Sequence, residues 1–374
     1  MKQLFYSIYA LLFNLSARIF KLKENRVAFV SMHNENFKDS LGCVYEKMKE
    51  QYDYEFVLIT RRDLDINIKN VFRVISFFLF KSAALARSKY VFLNDNFLPM
   101  SKMNFKKETV VTQLWHAEGA FKKFGLDIPQ QEFLRKSETE SNKRLTYVVC
   151  SSEGVRDIYS SAFGVSKENV LALGAPRADY FFKEENTFKA KADIENLYPQ
   201  LKGKKTVLYA PTFRDNLSEN KNILKHFDAA KIKQELGEEY EILVRLHPQI
   251  HENGEAIKGA IDVTDYADVR QLVLYCDVLV TDYSSICMDF SLINKKTVFF
   301  AYDLQDYIRD RDFYFDYESY VPGVVAKTND ELIRALKTDF DREKNDRFRQ
   351  FNFSFFDANS SQRVIDTIIK TNNE

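Results

Sequence analysis

Glycine and proline are scarce: 374 residues hold only 11 Gly and 7 Pro. That excludes a collagen-like, linker-dominated or low-complexity chain. Cysteine is also rare, with four residues at 43, 150, 276 and 287 and no CxxC among them. Neither a disulfide framework nor a zinc ribbon fits that spacing, and reduced, buried thiols are the expectation. Of five histidines only His247 and His251 are close. Pro248 follows His247 at once and breaks the helix that an i,i+4 metal pair needs, so no metal site is expected. Charge of one sign is lacking too: 54 basic residues balance 54 acidic ones. A dedicated nucleic-acid binder would carry a basic excess. What is present is a core-forming composition, 45% hydrophobic and 29% charged, which excludes disorder as the main state.

No clean apolar run of bilayer length occurs. The N-terminus places Leu4, Phe5, Ile8, Leu11, Leu12, Leu15, Ile19 and Phe20 at helical spacing, but Asn14, Ser16 and Arg18 interrupt them. Lys2, Arg18, Lys21 and Lys23 flank the run. No small-residue cleavage site ends it, and the strand-like VAFVS (27–31) follows. Residues 1–24 therefore read as an amphipathic helix. It docks on the protein's own core, lies in the inner membrane interface, or spans the bilayer.

Beyond it, short apolar runs alternate with helical stretches. Strands are expected near 27–31, 54–60, 89–94, 109–115 and 146–151, and in a second series near 170–173, 206–210, 241–246, 278–281 and 297–301. Runs such as YVFL, YVVC, TVLYA and VLVT suit strands buried on both faces of a parallel sheet. The repeated βαβ pattern gives an α/β fold of two doubly wound, Rossmann-like domains facing a cleft. The expected division is 25–182 and 200–345, parted by a charged stretch near 183–205, with a C-terminal helical segment over 346–374.

Ligands of such sheets sit beyond the carboxyl ends of strands. His116 and Gly119 stand in QLWHAEGAFKKFG, where an imidazole at a strand end can take a proton near neutral pH. Arg177 closes LGAPR, and an arginine fork suits a phosphate or a pyrophosphate. Thr212 and Arg214 follow Pro211, which ends a strand. Arg245 and His247 alternate in extended backbone, so both are expected on one face. In VLVTDYSSICMD, Ser284 and Ser285 open a helix whose free N–H groups favour an anion, and Asp289 lies one turn on, where a ribose could meet it. The Asp-x-Asp stretches at 63–65 and 310–312 read as surface charge.

These segments, in order, resemble the CDP-glycerol glycerophosphotransferase family, the primases and polymerases of wall teichoic acid. The resemblance rests on the His-Gly-Lys stretch at 116–125, GAPR at 174–177, APTFR at 210–214, RLHP at 245–248 and TDYSS…D at 281–289. AYD…FYFDYES…PG across 301–323 and FDANSSQRV at 356–364 extend it. It implies a glycosyltransferase-B-like architecture with the donor held mainly by the C-terminal domain. His116 would be the base on the acceptor hydroxyl, and Arg245 and His247 would bind the pyrophosphate and support the leaving CMP. Gly119, Arg177, Thr212, Arg214, Ser284, Ser285 and Asp289 would also hold the donor. One departure stands out: Ala117 and Glu118 separate the histidine from its glycine.

The resulting expectation is transfer of glycerol phosphate or ribitol phosphate from CDP-glycerol or CDP-ribitol to a lipid-linked saccharide. It needs no cofactor and no nucleic acid, and it takes place at the inner membrane surface. A nucleotide-sugar glycosyltransferase and a silent membrane scaffold are the alternatives.

Overall fold

The computed structural model describes residues 2–32, 35, 37, 39–64, 71–214, 217–247 and 257–370. Pro248 and His251 lie outside them. Strands β1 (Lys23–Ser31), β2 (Glu55–Thr60), β3 (Ser88–Leu93), β4 (Val110–Gln113), β5 (Tyr147–Cys150) and β6 (Val170–Ala172) form one sheet, in the order β2-β1-β3-β4-β5-β6. Strands β7 (Lys205–Tyr209), β8 (Tyr240–Val244), β9 (Ile261–Asp262), β10 (Val278–Thr281), β11 (Lys296–Phe300) and β12 (Val324–Ala326) form the other, in the order β12-β11-β10-β7-β8-β9. All pairings are parallel. This is the α/β, glycosyltransferase-B-like fold.

Most expected runs become strands whose side chains are buried on both faces, whereas β2 at the sheet edge buries only Ile59 fully. The last five residues of β1 and the last four of β7 are all buried. The run near 170–173, grouped above with the later strands, pairs instead with β5 in the first sheet. The two- and three-residue strands β9 and β12 are too short to leave a pattern.

The chain forms two compact units, Met1–Asp179 with Phe353–Glu374, and Tyr180–Asn352. The charged stretch after residue 183 is no linker. It is a helix, Glu184–Leu197, that buries only Ala190 and Ile194, four residues apart, and so reads as polar. The C-terminal stretch over 346–374 is not one segment either. Helix Arg342–Asn352 belongs to the second unit, while the later residues return to the first. There Val364, Ile365, Ile368 and Ile369 complete the core around Val27, Phe29 and Phe92.

Two sequence motifs lock that return. Both carboxylate oxygens of Asp179 accept backbone N–H groups, from Ser360 and Ser361, each at 2.8 Å. Arg363 forks onto Asp357 through two 3.0 Å bonds and donates Nε–H to the Leu173 carbonyl. Gly174, at φ +94°, passes so close that an added Cβ would lie 2.5 Å from Ser360 Oγ. FDANSSQRV is therefore a fastening for the GAPR loop.

The N-terminal helix Lys2–Ile19 buries Tyr9, Ala10, Phe13 and Ala17. Asn14, a polar interruption of the apolar run, donates to the Lys102 carbonyl and accepts from Asn104 N–H. The helix thus docks on its own unit, and Leu4, Ile8, Leu11, Leu15 and Ile19 form an outward stripe. The neighbouring segment 71–81 packs on it through Phe77 and Phe78 and also leaves Phe72, Leu79 and Phe80 exposed. Among the described residues no helix is long and apolar enough to cross a membrane.

Candidate active site

In each sheet the strand order reverses once, and the loops beyond the carboxyl ends there form the ligand crevice of a doubly wound fold. In the first sheet the reversal lies between β1 and β3. Ser31 ends β1, and Asn94 and Asp95 follow β3. Ser31 Oγ donates to Asp95 Oδ2 at 3.1 Å. Asp95 Oδ1 lies 3.1 Å from His116 Nδ1, and the Asn94 carbonyl lies 3.2 Å from the same nitrogen. Two acceptors on Nδ1 place the proton there and leave Nε2 as the basic atom. The ring is held from below by Trp115, 4.2 Å away between centroids, which itself stacks on Phe124. Trp115 is buried at φ +57°, a left-handed conformation rare for a bulky residue, and its N–H donates to Gln113 Oε1. This turn delivers the imidazole outward. The His116 side chain is 46% exposed over a carboxylate only 3% exposed. No described residue meets Nε2. An imidazole held in this way can serve as a general base, with the buried carboxylate orienting it. The sequence reading missed Asp95, although an acid just beyond a buried run, YVFLND, was visible.

Two expected donor-binding residues of this unit are otherwise engaged. Arg177 Nη1 lies 2.8 Å from Oε2 of buried Glu118, so its charge is already compensated. The residue that interrupted the motif is thus the counterion of another motif. Gly119 is buried at φ +64°, and its N–H donates to Ser151 Oγ at 2.9 Å. It lets the loop turn, and its amide is spent within the protein.

In the second sheet the reversal lies between β7 and β10. Asp282, after β10, accepts N–H from Thr212, after β7, at 2.8 Å and ties the two loops together. Arg214 is corrected by this geometry. It is only 5% exposed, forks onto Asp303, and reaches Asp282 at 2.9 Å and the Thr212 carbonyl at 2.6 Å. Burial opposes its charge, but Asp282 and Asp303 outweigh that and raise its pKa above the ordinary value. Tyr283 and Tyr307 pack on its guanidinium. Arg214 is a buried strut whose Nε, Nη1 and Nη2 all donate within the protein, and this geometry does not turn it toward a ligand.

Arg245 differs. It is half-buried just beyond β8, and its Nη1 donates to the carbonyls of Val263, Thr264 and Tyr266. Among the described residues no carboxylate lies within ion-pair distance of it. Burial lowers its pKa, and the more distant Asp268 and Asp265 offset part of that. A fixed, partly desolvated cation without a counterion is a ready anion site. His247, two residues on, stacks obliquely on Phe213 at 4.7 Å, and burial lowers its pKa, which favours the neutral imidazole. The Thr212 hydroxyl is buried with no hydrogen-bond partner among the described residues, so it has acceptor and donor capacity to spare.

The helix after β10 is less open than expected. The N–H groups of Ile286, Cys287 and Met288 all reach back to Ser284 or Ser285. Ser285 is exposed with no capping bond, whereas Asp289 is 3% exposed in a helix buried along most of its length. Asp289 therefore presents no open face to a ribose. Asp63, read above as surface charge, is buried and pairs with Lys81 at 2.7 Å. Among the described residues no group of three His, Cys, Asp or Glu could hold a metal ion.

The chain is similar to known proteins along most of its length. Residues 11–370 match the family described as CDP-Glycerol:Poly(glycerophosphate) glycerophosphotransferase. The teichoic acid poly(ribitol-phosphate) polymerase of Bacillus spizizenii is 34% identical over 94% of this chain, which spans 57% of that protein's length. The teichoic acid ribitol-phosphate primase of the same species is 30% identical over 96% of this chain and 95% of the primase. A solved structure of the wall teichoic acid polymerase TagF, soaked with CDPG, superposes with a TM-score of 0.79 at 26% identity, covering 98% of this chain and 93% of that one. With the family match running over residues 11–370, this protein belongs to the CDP-glycerol:poly(glycerophosphate) glycerophosphotransferase family and is a transferase of that type.

Proposed function

We propose that the protein transfers glycerol phosphate or ribitol phosphate from CDP-glycerol or CDP-ribitol to a hydroxyl of a lipid-linked saccharide, and so builds a teichoic acid or a phosphate-containing capsule. The observation that carries this reading is the His116–Asp95 pair at the switch point of the first sheet. His116 Nε2 takes the proton of the acceptor hydroxyl as its oxygen attacks the alditol-bearing phosphorus. The bond from that phosphorus to the CMP phosphate oxygen breaks, and CMP leaves with the electron pair. Arg245 and His247 hold the pyrophosphate, with Thr212, Ser284 and Ser285 around it. Phosphoryl transfer depends mainly on alignment and charge neutralisation, which a fixed arginine and an imidazole supply.

The outward stripe of Leu4, Ile8, Leu11, Leu15 and Ile19 supports a peripheral position at the cytoplasmic membrane face. Exposed apolar residues in such continuity mark an interaction surface, and a lipid-linked acceptor resides there.

The test is CMP release from CDP-glycerol and CDP-ribitol, assayed separately with bacterial membranes as acceptor. Release with one donor, lost in a folded His116→Ala variant, is expected. No release with either donor, or unchanged turnover in His116→Ala, overturns the reading. Transfer from a nucleotide sugar in its place would reassign the donor.

A further inference from the structure

A cavity of about 390 Å³ opens beside Asp95 in the first unit. That is toward the small end of ligand sites, which span roughly 300–1,000 Å³. Its wall includes Met32, the residue after β1, and Asn96, the residue after Asp95. It therefore sits at the same switch point as the His116 pair. Its polar side is a fixed array. Glu138 is buried, and its two oxygens accept from Asn96 Nδ2 at 2.9 Å and Gln130 Nε2 at 2.8 Å. Among the described residues no cation lies within ion-pair distance of Glu138. Asn96 Oδ1 is buried with no hydrogen-bond partner among the described residues. Its apolar lining includes Phe5 and Tyr6 of the N-terminal helix and Leu134, one turn before Glu138 on helix Glu132–Asn142.

The chemistry selects the occupant. A phosphate is disfavoured by the Glu138 carboxylate. A hydrocarbon chain would bury the Asn96 acceptor unmatched. A neutral polyhydroxyl ring satisfies both sides, because its hydroxyls donate to Asn96 Oδ1 and Glu138 while its C–H face lies on the aromatic wall. We infer that this cavity is the subsite for a sugar ring of the acceptor, seated one residue from the carboxylate that orients His116. The role as acceptor subsite rests on the transferase reading, and the sugar site itself does not. Helix Lys2–Ile19 then serves both ends of one molecule, with its inner side on the sugar and its outer stripe toward the lipid.

Two measurements on the full chain separate the claims. The first is saturation-transfer NMR with N-acetylglucosamine as the probe and inorganic phosphate as the competitor. Transfer to the sugar is expected, insensitive to phosphate and lost in Leu134→Trp, which fills the cavity from its rim. No transfer, or transfer unaffected by Leu134→Trp, overturns the subsite whether or not the enzyme turns over. The second is acceptor titration with detergent-extracted membranes and whichever CDP-alditol the wild type uses. Asn96→Ala and Tyr6→Ala are expected to raise the apparent acceptor KM at least tenfold, with donor KM within twofold, and Tyr6→Phe to restore it. A parallel rise in donor KM, or an unmoved acceptor KM, overturns the acceptor role. Absence of turnover in the wild type overturns the transferase reading alone.

Discussion

Replacing Asp95 by Asn isolates the carboxylate behind the base without changing its shape. Asp95 Oδ1 and the Asn94 carbonyl compete for the same His116 Nδ1–H, at 3.1 and 3.2 Å. In Asp95→Asn the carbonyl remains, so the tautomer with a basic Nε2 survives. The negative charge that steadies the imidazolium in the transition state is lost. A hydrogen bond to a charged group contributes about 1.5–3 kcal/mol, and the 46% exposure of His116 lets water screen part of that. The low end applies, roughly 1.5–2.5 kcal/mol, or about 10- to 100-fold in rate. The expected result is that fall in kcat for CMP release, with donor KM and the melting temperature nearly unchanged, since Ser31 Oγ can accept from the new amide N–H while the amide oxygen stays on His116 Nδ1–H. Turnover within twofold of wild type would refute the assignment. A fall beyond about 10³-fold would show that the carbonyl does not hold the tautomer and that the carboxylate does.

Arg245→Gln removes a cation that has no carboxylate within ion-pair distance among the described residues, and donor KM should rise about 10- to 100-fold by the same charged-bond scale, with an unchanged KM counting against the proposed anion site. Arg214→Met leaves Asp282 and Asp303 without their counterion; urea unfolding should show a loss of about 3–5 kcal/mol, and near-neutral stability would contradict the strut. Leu11→Glu with Phe80→Glu takes two exposed apolar side chains from the proposed membrane face; at about 1.5–3 kcal/mol for each full burial, partial insertion of both predicts a fall near 100-fold in partitioning to phosphatidylglycerol vesicles. Undiminished sedimentation with vesicles would exclude that face. Burial pushes the Cys276 thiol from 9.0 up to about 12 and Cys150 likewise, which favours the neutral form, so at pH 8 the thiolate population is about a thousandfold below that of an ordinary thiol. Iodoacetamide should modify both only after denaturation, and native-state labelling at a free-thiol rate would refute their burial.

The strands were legible because a strand buried on both faces must be apolar throughout, and YVFL and VLVT have no other economical use. His116 was legible because it stands where such a strand ends. Asp95 was not, because its partners Ser31 and His116 meet it only through the order β1-β3-β4. Arg214 shows the converse. An arginine beyond a strand end looks the same whether it turns to solvent or inward. The acids that turn this one inward, Asp282 and Asp303, are 68 and 89 residues further along. Glu118 read as an insertion because its counterion, Arg177, is 59 residues away. Charges are assigned by three-dimensional neighbours, whereas apolar periodicity is assigned locally, and that difference separates what could be read from what could not.

The return of Phe353–Glu374 to the first unit has a consequence for biosynthesis. A ribosome emits the strands of the first sheet before the second unit, but Val364, Ile365, Ile368 and Ile369, which fill the first sheet's core, emerge only after it. The second unit is one uninterrupted stretch, Tyr180–Asn352, and can close while synthesis continues. At about 5–20 residues per second, the sheet that carries His116 waits many seconds with an apolar gap where the last helix belongs. The half of the protein made first is therefore the half finished last, and a chain stalled short of residue 360 would expose its catalytic unit, rather than its newest residues, to aggregation and proteolysis.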